Sequence, residues 1–152
     1  EPPADTVAQL FGEGPVVRGR PGSGLRAAIN SAADALAGLD VVAAWPDAPR
    51  MIGADDLLVE RVLAGDAQAA ARLRAAVYAP LAASPHLLST VDAYLATGGA
   101  LEPTARNLFV HPNTVRYRLH RVADLTGRDP WEPRDLLVLQ TAVILGRLAA
   151  AP

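Results

Sequence analysis

The stretch Gly98–Gly127, GGALEPTARNLFVHPNTVRYRLHRVADLTG, decides the fold that we predict for this chain. It contains two helical patterns separated by only about three residues, a connection that fits an angled pair of helices. The second helix is predicted to span about 112–124, and it begins with a proline, which is favoured at a first helical position. Its residues Val115, Leu119 and Val122 recur at i, i+4 and i+7, so this face is predicted to pack inward.

Two further helices are predicted to support this one. The first helix of the pair is predicted over Glu102–Leu108, with Ala105 directed at the shared core, and the chain turns at 109–111. A preceding helix is opened by Ser84-Pro85 and ended by Thr97-Gly98-Gly99. Together these patterns predict the three-helix arrangement of a helix-turn-helix domain.

The outer face of the second helix is rich in hydrogen-bond donors when successive residues are placed 100° apart. Arg can pair with guanine through two hydrogen bonds, and Asn can pair with adenine in the same way. From Thr104 to Arg128 the chain holds five Arg and one acid, a local balance of +4. We therefore predict that this helix enters the major groove of double-stranded DNA. The predicted DNA-binding residues are Arg106, His111, Asn113, Thr114, Arg116, Tyr117, Arg118, His120, Arg121 and Arg128.

These residues are given two roles. The residues predicted to face bases or the nearby backbone are Asn113, Arg116, Tyr117, His120 and Arg121, and those predicted to contact phosphates are Arg106, His111, Thr114 and Arg128. His111 is also predicted to cap the helix. Arg118 lies about 70° from the apolar stripe, so a structural contact inside the protein is an equal alternative for its side chain.

The run at 104–119, TARNLFVHPNTVRYRL, followed by TGRD at 126–129, resembles the C-terminal helix-turn-helix of the PucR/CdaR family of bacterial transcriptional regulators. It is also similar to the helix-turn-helix of the factor for inversion stimulation. Pro112 departs from the family pattern, because many members carry Arg there, and it removes one phosphate or base contact. The resemblance implies a cytoplasmic, non-enzymatic regulator that binds DNA as a homodimer and whose effector is bound by N-terminal domains missing from this chain.

The predicted fold class is mainly α, with a helix-turn-helix domain at 83–152, a helical connector at 54–82 and a small α/β region at 1–53. The α/β region resembles the tail of a GGDEF-like domain. Its helix is predicted from about Gly24 to Ala37, capped by Ser23 and stopped by Gly38. The apolar stripe of this helix comprises Leu25, Ile29, Ala32, Ala33 and Leu36, and strands are predicted at Val16-Val17, Val41–Trp45 and Arg50-Met51-Ile52.

The connector is predicted to contain two helices, one capped by Asp55 or Asp56 and one capped by Asp66 and ended by Pro80. After the DNA-binding helix, Trp131 is predicted to plug the core. The last helix, Leu136–Leu148, is apolar nearly all round, so we expect it to be buried on more than one side and to meet a partner chain.

Composition bounds the possible chemistry. The 152 residues are 51% hydrophobic, carry a net charge of −2 and include no Cys, which excludes disulfides and thiolate chemistry. All fourteen basic residues are Arg, so no lysine-dependent phosphate site is present. Residues 1–99 carry a net −4 and residues 100–152 a net +2, so positive charge collects near the motif. No apolar run approaches a membrane span or opens the chain as a signal peptide, and the absence of an initial Met suggests a fragment.

Two functions other than DNA binding, and a metal site, are suggested by parts of the sequence. The helix pair could instead dock a protein, with the last helix forming a dimer. Gly98-Gly99-Ala100-Leu101-Glu102 superficially resembles a diguanylate cyclase signature, but a helix stop and start explains it better because a second carboxylate cluster is missing. His111 and His120 lie on different sides of one helix, so we predict no metal, and no catalytic residue or cofactor is predicted either.

Overall fold

The computed structural model describes residues 9–150, and the contacts between residues divide the chain after Ala69 into two compact units. Residues 1–8 and 151–152 of the predicted terminal regions lie outside the described part. Helices dominate both units, so the prediction of a mainly α fold is confirmed. The elements up to residue 63 are β1 (Val16–Arg18), α1 (Leu25–Leu39), a 3-10 turn (Val42–Ala44), β2 (Met51–Gly53) and α2 (Leu58–Leu63).

The two strands of the first unit pair in parallel, with Val17 opposite Ile52. Helix α1 provides the crossover that a parallel pair requires. The small core beside the sheet is built from Val42, Ile52 and Leu57, and Trp45 packs against it. The strands predicted near Val16 and Met51 are therefore confirmed.

The predicted strand at Val41–Trp45 is wrong, because this run forms a 3-10 turn. The N–H groups of Ala44 and Trp45 donate to the carbonyls of Val41 and Val42, three residues back. The local hydrogen bonds satisfy the backbone, while Val42 still reaches the core at 6% exposure. A short apolar run without a clear period is compatible with a strand or with a 3-10 turn, so the sequence did not distinguish them.

The predicted ends of α1 are also wrong. The N-cap residue is Gly24, with a φ of 85°, and it offers no side chain for capping. Gly38 does not stop the helix but lies buried within it. A Cβ on Gly38 would come within 2.7 Å of Val17 Cγ1, so the missing side chain lets the helix approach β1.

The apolar stripe predicted on α1 does not form a core in this unit. Leu25, Ile29 and Leu36 are 79%, 61% and 63% exposed. The buried positions of α1 are Asp34 and Gly38, which lie on another face of the helix. The helical spacing correctly identified an apolar face of α1. The described part of this unit, however, packs against the other face, which carries Gly38.

A buried charged cluster joins α1 to the end of α2. The Arg61 side chain is 1% exposed, and its Nη2 lies 3.4 Å from Asp34 Oδ1 and 2.7 Å from Asp66 Oδ2. Arg20, which is 46% exposed, donates from Nε to the other oxygen of Asp34 at 3.1 Å. Removing the buried charge of Arg61 from this cluster should cost more than removing the exposed charge of Arg20.

Asp66 also caps the next helix, as predicted. Its Oδ1 accepts from the N–H groups of Gln68 and Ala69 at 2.8 and 3.0 Å. Burial raises the pKa of the Asp66 carboxyl, but the hydrogen bonds from Ala69, Arg61 and Gln68 outweigh it, so the net pKa lies below 3.8. This stabilisation is present above the unfolded-state pKa and is lost as the pH falls through the folded-state value.

Two details of the predicted connector are wrong. The N-cap of α2 is Leu57, while the Asp56 carboxylate accepts from Gly53 N at 3.2 Å instead, and Asp55 does not cap the helix either. Pro80 does not end the second helix, because it follows a π-helical turn at Arg74–Tyr78 and occupies an early position of a new helical segment. Its missing N–H is tolerated there.

The second unit, from Ala70, is entirely helical in its described part. Its elements are α3 (Ala67–Leu73, which begins before the division), the π-helical turn, α4 (Ala79–Ala82), α5 (Pro85–Ala96), α6 (Leu101–Asn107), α7 (Pro112–Thr126) and α8 (Pro133–Ala150). The helices predicted to begin near Pro85, Glu102, Pro112 and Leu136 are confirmed. The last two run slightly beyond their predicted bounds.

The C-terminal helix α8 packs closely against the π-helical turn. Gly146 is buried, and an added Cβ would overlap the ring of Tyr78. Val138, Leu139 and Val143 are buried, whereas Leu137, Ile144 and Leu148 are 42%, 49% and 67% exposed. One apolar face of α8 is therefore used within the unit, and a second apolar face lies open.

The prediction that Trp131 plugs the core is wrong. Its side chain is 39% exposed, and Pro130 is the buried residue of this loop. The Trp131 ring packs instead against the ring of His120, with centroids 4.7 Å apart.

Candidate nucleic-acid interface

The start of α7 is set by its N-cap residue, His111, as predicted. The Nδ1 atom of His111 accepts a hydrogen bond from Asn113 N at 3.2 Å. Pro112 occupies the first helical position, where its missing N–H breaks no intrahelical bond. The remaining N–H groups at this end of α7 carry partial positive charge and favour an anion such as a phosphate.

Three apolar residues hold α7 against its supporting helices. Val115, Leu119 and Val122 are each 0% exposed, which confirms the predicted inward stripe. Val115 and Leu119 form one cluster with Tyr94 of α5 and Ala105 of α6. The position of α7 is therefore fixed by packing from both preceding helices.

A hydrogen-bonded pair of threonines, of which Thr104 is buried and Thr97 half-buried, ties α6 to the end of α5. Thr97 Oγ1 and Thr104 Oγ1 lie 2.7 Å apart, and Thr104 Oγ1 also donates to the Ala100 carbonyl at 2.7 Å. Nearby, burial raises the pKa of the Tyr94 hydroxyl above 10.0, and the negative charge of Asp129 adds to the shift. No periodic pattern in the sequence indicates these polar contacts.

The side of α7 opposite the stripe is open to solvent. Its exposed residues are Asn113, Arg116, Tyr117, His120, Arg121 and Asp124. All five side chains that were predicted to face bases or the nearby backbone thus lie on this outer face. Tyr117 is 65% exposed, so its ring and its hydroxyl are accessible to a partner.

Asn113 and Arg116 form one hydrogen-bonded pair on the outer face. Arg116 Nη1 donates to Asn113 Oδ1 at 2.8 Å, one helical turn apart. The contact orients the guanidinium toward the N-terminal end of α7 and leaves its other N–H groups and the Asn113 amide N–H groups available. This arrangement presents several donors to a ligand that is rich in acceptors.

Further along the outer face, two side chains have partners within the protein. Arg121 Nη1 donates to Asp124 Oδ2 at 3.1 Å, in an exposed pair that contributes little to stability. The ring of His120 contacts Trp131. Because Asp124 is anionic whereas Asn113 is neutral, the charge of Arg121 is balanced by its partner and that of Arg116 is not.

Arg118 lies on the border between the outer face and the core. It is half-buried, and its Nη1 donates to Thr90 Oγ1 of α5 at 3.4 Å. This geometry matches the structural alternative for Arg118, although its contact with DNA stays a prediction. Thr90 itself is 0% exposed and also donates to the His86 carbonyl at 2.7 Å.

The residues predicted to contact phosphates lie near both ends of α7 in the sequence. Arg106 is exposed near the end of α6, and Thr114 is half-buried in the first turn of α7. Arg128 follows α7 and pairs with Asp135, with Nη1 and Oδ1 3.1 Å apart. Arg128 therefore needs to rearrange or to share its charge if it is to contact a phosphate.

Phe109 lies in the turn between α6 and α7, and the sequence pattern predicted no functional role for it. Its side chain is 95% exposed and its φ is 53°. Its position in a three-residue connection between two helices was the one signal for its left-handed backbone, since tight turns often require a residue with positive φ.

Within residues 9–150, no group of His, Asp and Glu side chains is arranged to hold a metal ion. In the same range no helix combines the length and the apolar character needed to cross a membrane.

The geometry of α5, α6 and α7 defines the class. A short helix and a following helix are joined by a tight turn, packed on a third helix, and leave a donor-rich face open, which is the helix-turn-helix arrangement of DNA-binding domains. Residues 87–145 match the family model of the PucR C-terminal helix-turn-helix domain. This part of the chain is a PucR-type helix-turn-helix domain, which confirms that part of the resemblance found in the sequence.

Relatives extend the similarity beyond this domain. An uncharacterised protein of Mycobacterium tuberculosis is 53% identical over 139 residues, which cover 91% of this chain and 34% of the relative. The purine catabolism regulatory protein of Bacillus subtilis is 39% identical over 62 residues, covering 41% of this chain and 12% of that protein. The chain thus spans about a third of the length of the mycobacterial relative.

A solved structure shares the fold. The regulator of polyketide synthase expression from Bifidobacterium adolescentis superposes with a TM-score of 0.79 at 40% identity, over 84% of this chain and 51% of that one. That protein and the Bacillus relative are both named as regulators.

Proposed function

We propose that this chain is the DNA-binding output part of a longer, cytoplasmic bacterial regulator of the PucR/CdaR type, acting in transcription and not as an enzyme. The observation that carries the proposal is the open face of α7, where five hydrogen-bonding side chains project from a helix whose stripe is 0% exposed. A rigid helix with this face suits the major groove, in which each base pair presents its own pattern of donors and acceptors.

Within this proposal, the residues of the interface have distinct tasks. Asn113 and Arg116 contact base edges, because they lie in the first turns of α7 with donors free to pair. Arg106, together with the α7 N-terminus, contacts phosphates and sets the position of the helix on the duplex. Arg118 orients α7 through Thr90.

We also propose the domain organisation that the sequence suggests. Residues 1–53 are the tail of a GGDEF-like domain, 54–82 are a connector, and 83–152 form the DNA-binding domain. The β1–α1–β2 crossover supports the first assignment, since such units normally belong to larger sheets. The relatives are longer than this chain, which supports effector binding by N-terminal domains outside it.

A homodimer is the proposed binding form. The open apolar face of α8, formed by Leu137, Ile144 and Leu148, supports it, because the residues follow one another at seven and four positions along one side of a helix. A two-fold dimer of helix-turn-helix domains binds two half-sites about 34–36 Å apart or a multiple of that spacing.

Selection of bound fragments from a pool of random duplexes tests the proposal and supplies the target. The selected duplexes should contain two inverted half-sites with the spacing given above. A protein-interaction module without DNA binding, which is the alternative, would enrich no sequence.

Arg116→Ala is expected to weaken binding to the selected duplex by about 5- to 150-fold, equivalent to about 1–3 kcal/mol, and to relax the preference at one base pair. The reason is the loss of a paired donor group at a base edge. Binding is measured by fluorescence anisotropy with the selected duplex and with single-base variants.

The matched control is Arg147→Ala, which removes the same charge from an exposed arginine on α8 that pairs with Asp92. It should change affinity much less and leave the base preference intact. Equal effects of the two substitutions would exclude a base-contacting role for Arg116.

A further inference from the structure

Phe109 is a large apolar residue in a conformation that suits glycine. Its φ of 53° is the only positive φ of a non-glycine residue in the described part of the chain. Left-handed backbone costs an ordinary L-residue about 1–2 kcal/mol relative to the right-handed form. Packing does not offset that cost, because the side chain is 95% exposed.

The turn itself does not depend on the phenyl ring. The Phe109 N–H donates to the Arg106 carbonyl at 3.2 Å, and the Val110 N–H donates to the Ala105 carbonyl at 3.0 Å. Glycine or asparagine in the same conformation would keep both backbone bonds. A strained residue whose side chain does nothing for the fold points to a function for that side chain.

The ring lies beside the end of α7 that is proposed to enter the groove. Phe109, Arg106, His111 and Pro112 line one shallow hollow at the protein surface. Three peptide units separate Phe109 from Pro112, so their Cα atoms are at most about 11 Å apart. A helix that inserts its first turn into the groove therefore brings this ring to the rim of the groove.

We propose that Phe109 is a DNA-contacting residue that packs against the apolar edge of the duplex, namely a thymine methyl group or a deoxyribose at the rim of the major groove. The inference rests on the proposed function. Phenylalanine makes this kind of apolar contact with thymine, and burying an exposed Phe against such a surface is favourable.

The charges around the hollow orient the duplex. Arg106 lines the same hollow as the ring and attracts phosphates, whereas Glu102, one helical turn before Arg106, also lines it and repels them. His111 lines the hollow and caps α7, so the DNA strand is expected on the α7 side of the ring. This continuity with the donor-rich face favours DNA over a second copy of the chain or another protein as the partner.

The experiment compares variants that keep the turn but differ in the ring. Phe109→Gly and Phe109→Asn tolerate the left-handed backbone and remove the aromatic group, whereas Phe109→Tyr retains most of the apolar area. On the selected duplex, the first two should bind about tenfold more weakly than the unmodified protein, and Phe109→Tyr should bind within about threefold of it.

Thermal unfolding separates this contact from a structural role. The ring of Phe109 is exposed and its backbone is strained. Phe109→Gly should therefore keep or raise the Tm while the affinity for DNA falls. Leu125→Ala removes another partly exposed apolar side chain, at the distant end of α7, and should leave the affinity unchanged.

The two apolar sources in DNA are distinguished by replacing each thymine of the selected duplex with uracil, which removes only the methyl group. A loss at one position for the unmodified protein but not for Phe109→Gly assigns the contact to that thymine. If no replacement matters while Phe109→Gly still binds weakly, the contact is to deoxyribose.

Unchanged DNA affinity in Phe109→Gly and Phe109→Asn overturns the inference, even where Arg116→Ala confirms the proposed function. A Phe109→Gly variant whose self-association falls in sedimentation velocity, with monomer binding to a half-site intact, overturns it in favour of a second copy. Failure of the unmodified protein to bind any duplex overturns both proposals.

Discussion

Leu119→Ala is expected to destabilise the helix-turn-helix domain by about 2–5 kcal/mol, because it removes buried methyl groups and leaves a cavity. Leu119 is 0% exposed and lies in one cluster with Tyr94, Ala105 and Val115, at the point where all three helices of the domain meet. The loss should lower the Tm by at least about 8 °C for a domain of this size. Circular dichroism at 222 nm during heating measures it.

Leu125→Ala serves as the control within the same helix, since Leu125 is 42% exposed. It should lower the stability by less than about 1 kcal/mol. A Leu119→Ala protein that melts together with this control would show that the predicted inward stripe of α7 does not hold the domain together.

Arg61→Ala is expected to destabilise the first unit by about 3–5 kcal/mol, because it removes a buried positive charge from between two carboxylates, Asp34 and Asp66. The side chains of Arg61 and Asp34 are both 1% exposed. Asp66 also loses its contact with Arg61, although it keeps its bonds to the start of α3. The measurement is urea unfolding followed by the fluorescence of Trp45, which packs against the core of this unit.

Arg20→Ala provides the comparison, because Arg20 contacts the same Asp34 but is 46% exposed. Its loss should cost no more than about 1 kcal/mol. If the two variants unfold at the same urea concentration, the buried charged cluster contributes no more than a surface pair.

Leu119 and Arg61 show which buried side chains could be predicted from the sequence and which could not. The burial of Leu119 follows from spacing, since Val115, Leu119 and Val122 repeat along one side of a helix whose start is signalled by Pro112. The burial of Arg61 has no such signal. Its partner Asp34 lies 27 residues away, and charged residues are normally assigned to the surface.

The apolar stripe of α1 shows a second limit. Its residues Leu25, Ile29 and Leu36 have helical spacing, and the helix forms, but the stripe lies exposed. Periodicity identifies a face that is able to pack. It does not identify whether a partner lies within the same unit, and here Gly38 allowed a different face to approach β1.

The candidate interface was predicted in outline for the same reason as the core. Once the inward stripe of α7 was assigned, the helical period placed Asn113, Arg116 and Tyr117 on the exposed side, where the structure has them. The period did not reveal which side chains bond to each other, such as the Arg116 guanidinium donating to Asn113 Oδ1, or that Phe109 adopts a left-handed conformation. Those features depend on rotamers and on turn geometry.

The central claim is that the open face of α7 binds DNA, and the salt dependence of affinity for the selected duplex tests it most directly. With Arg106 and Arg128 as the two cationic phosphate contacts in each domain, a plot of log affinity against log salt should have a slope of about −2 for one domain and about −4 for a dimer. Arg106→Ala should make the slope less steep by about one per domain. An affinity that does not change with salt, or equal binding of scrambled and selected duplexes, would contradict the account.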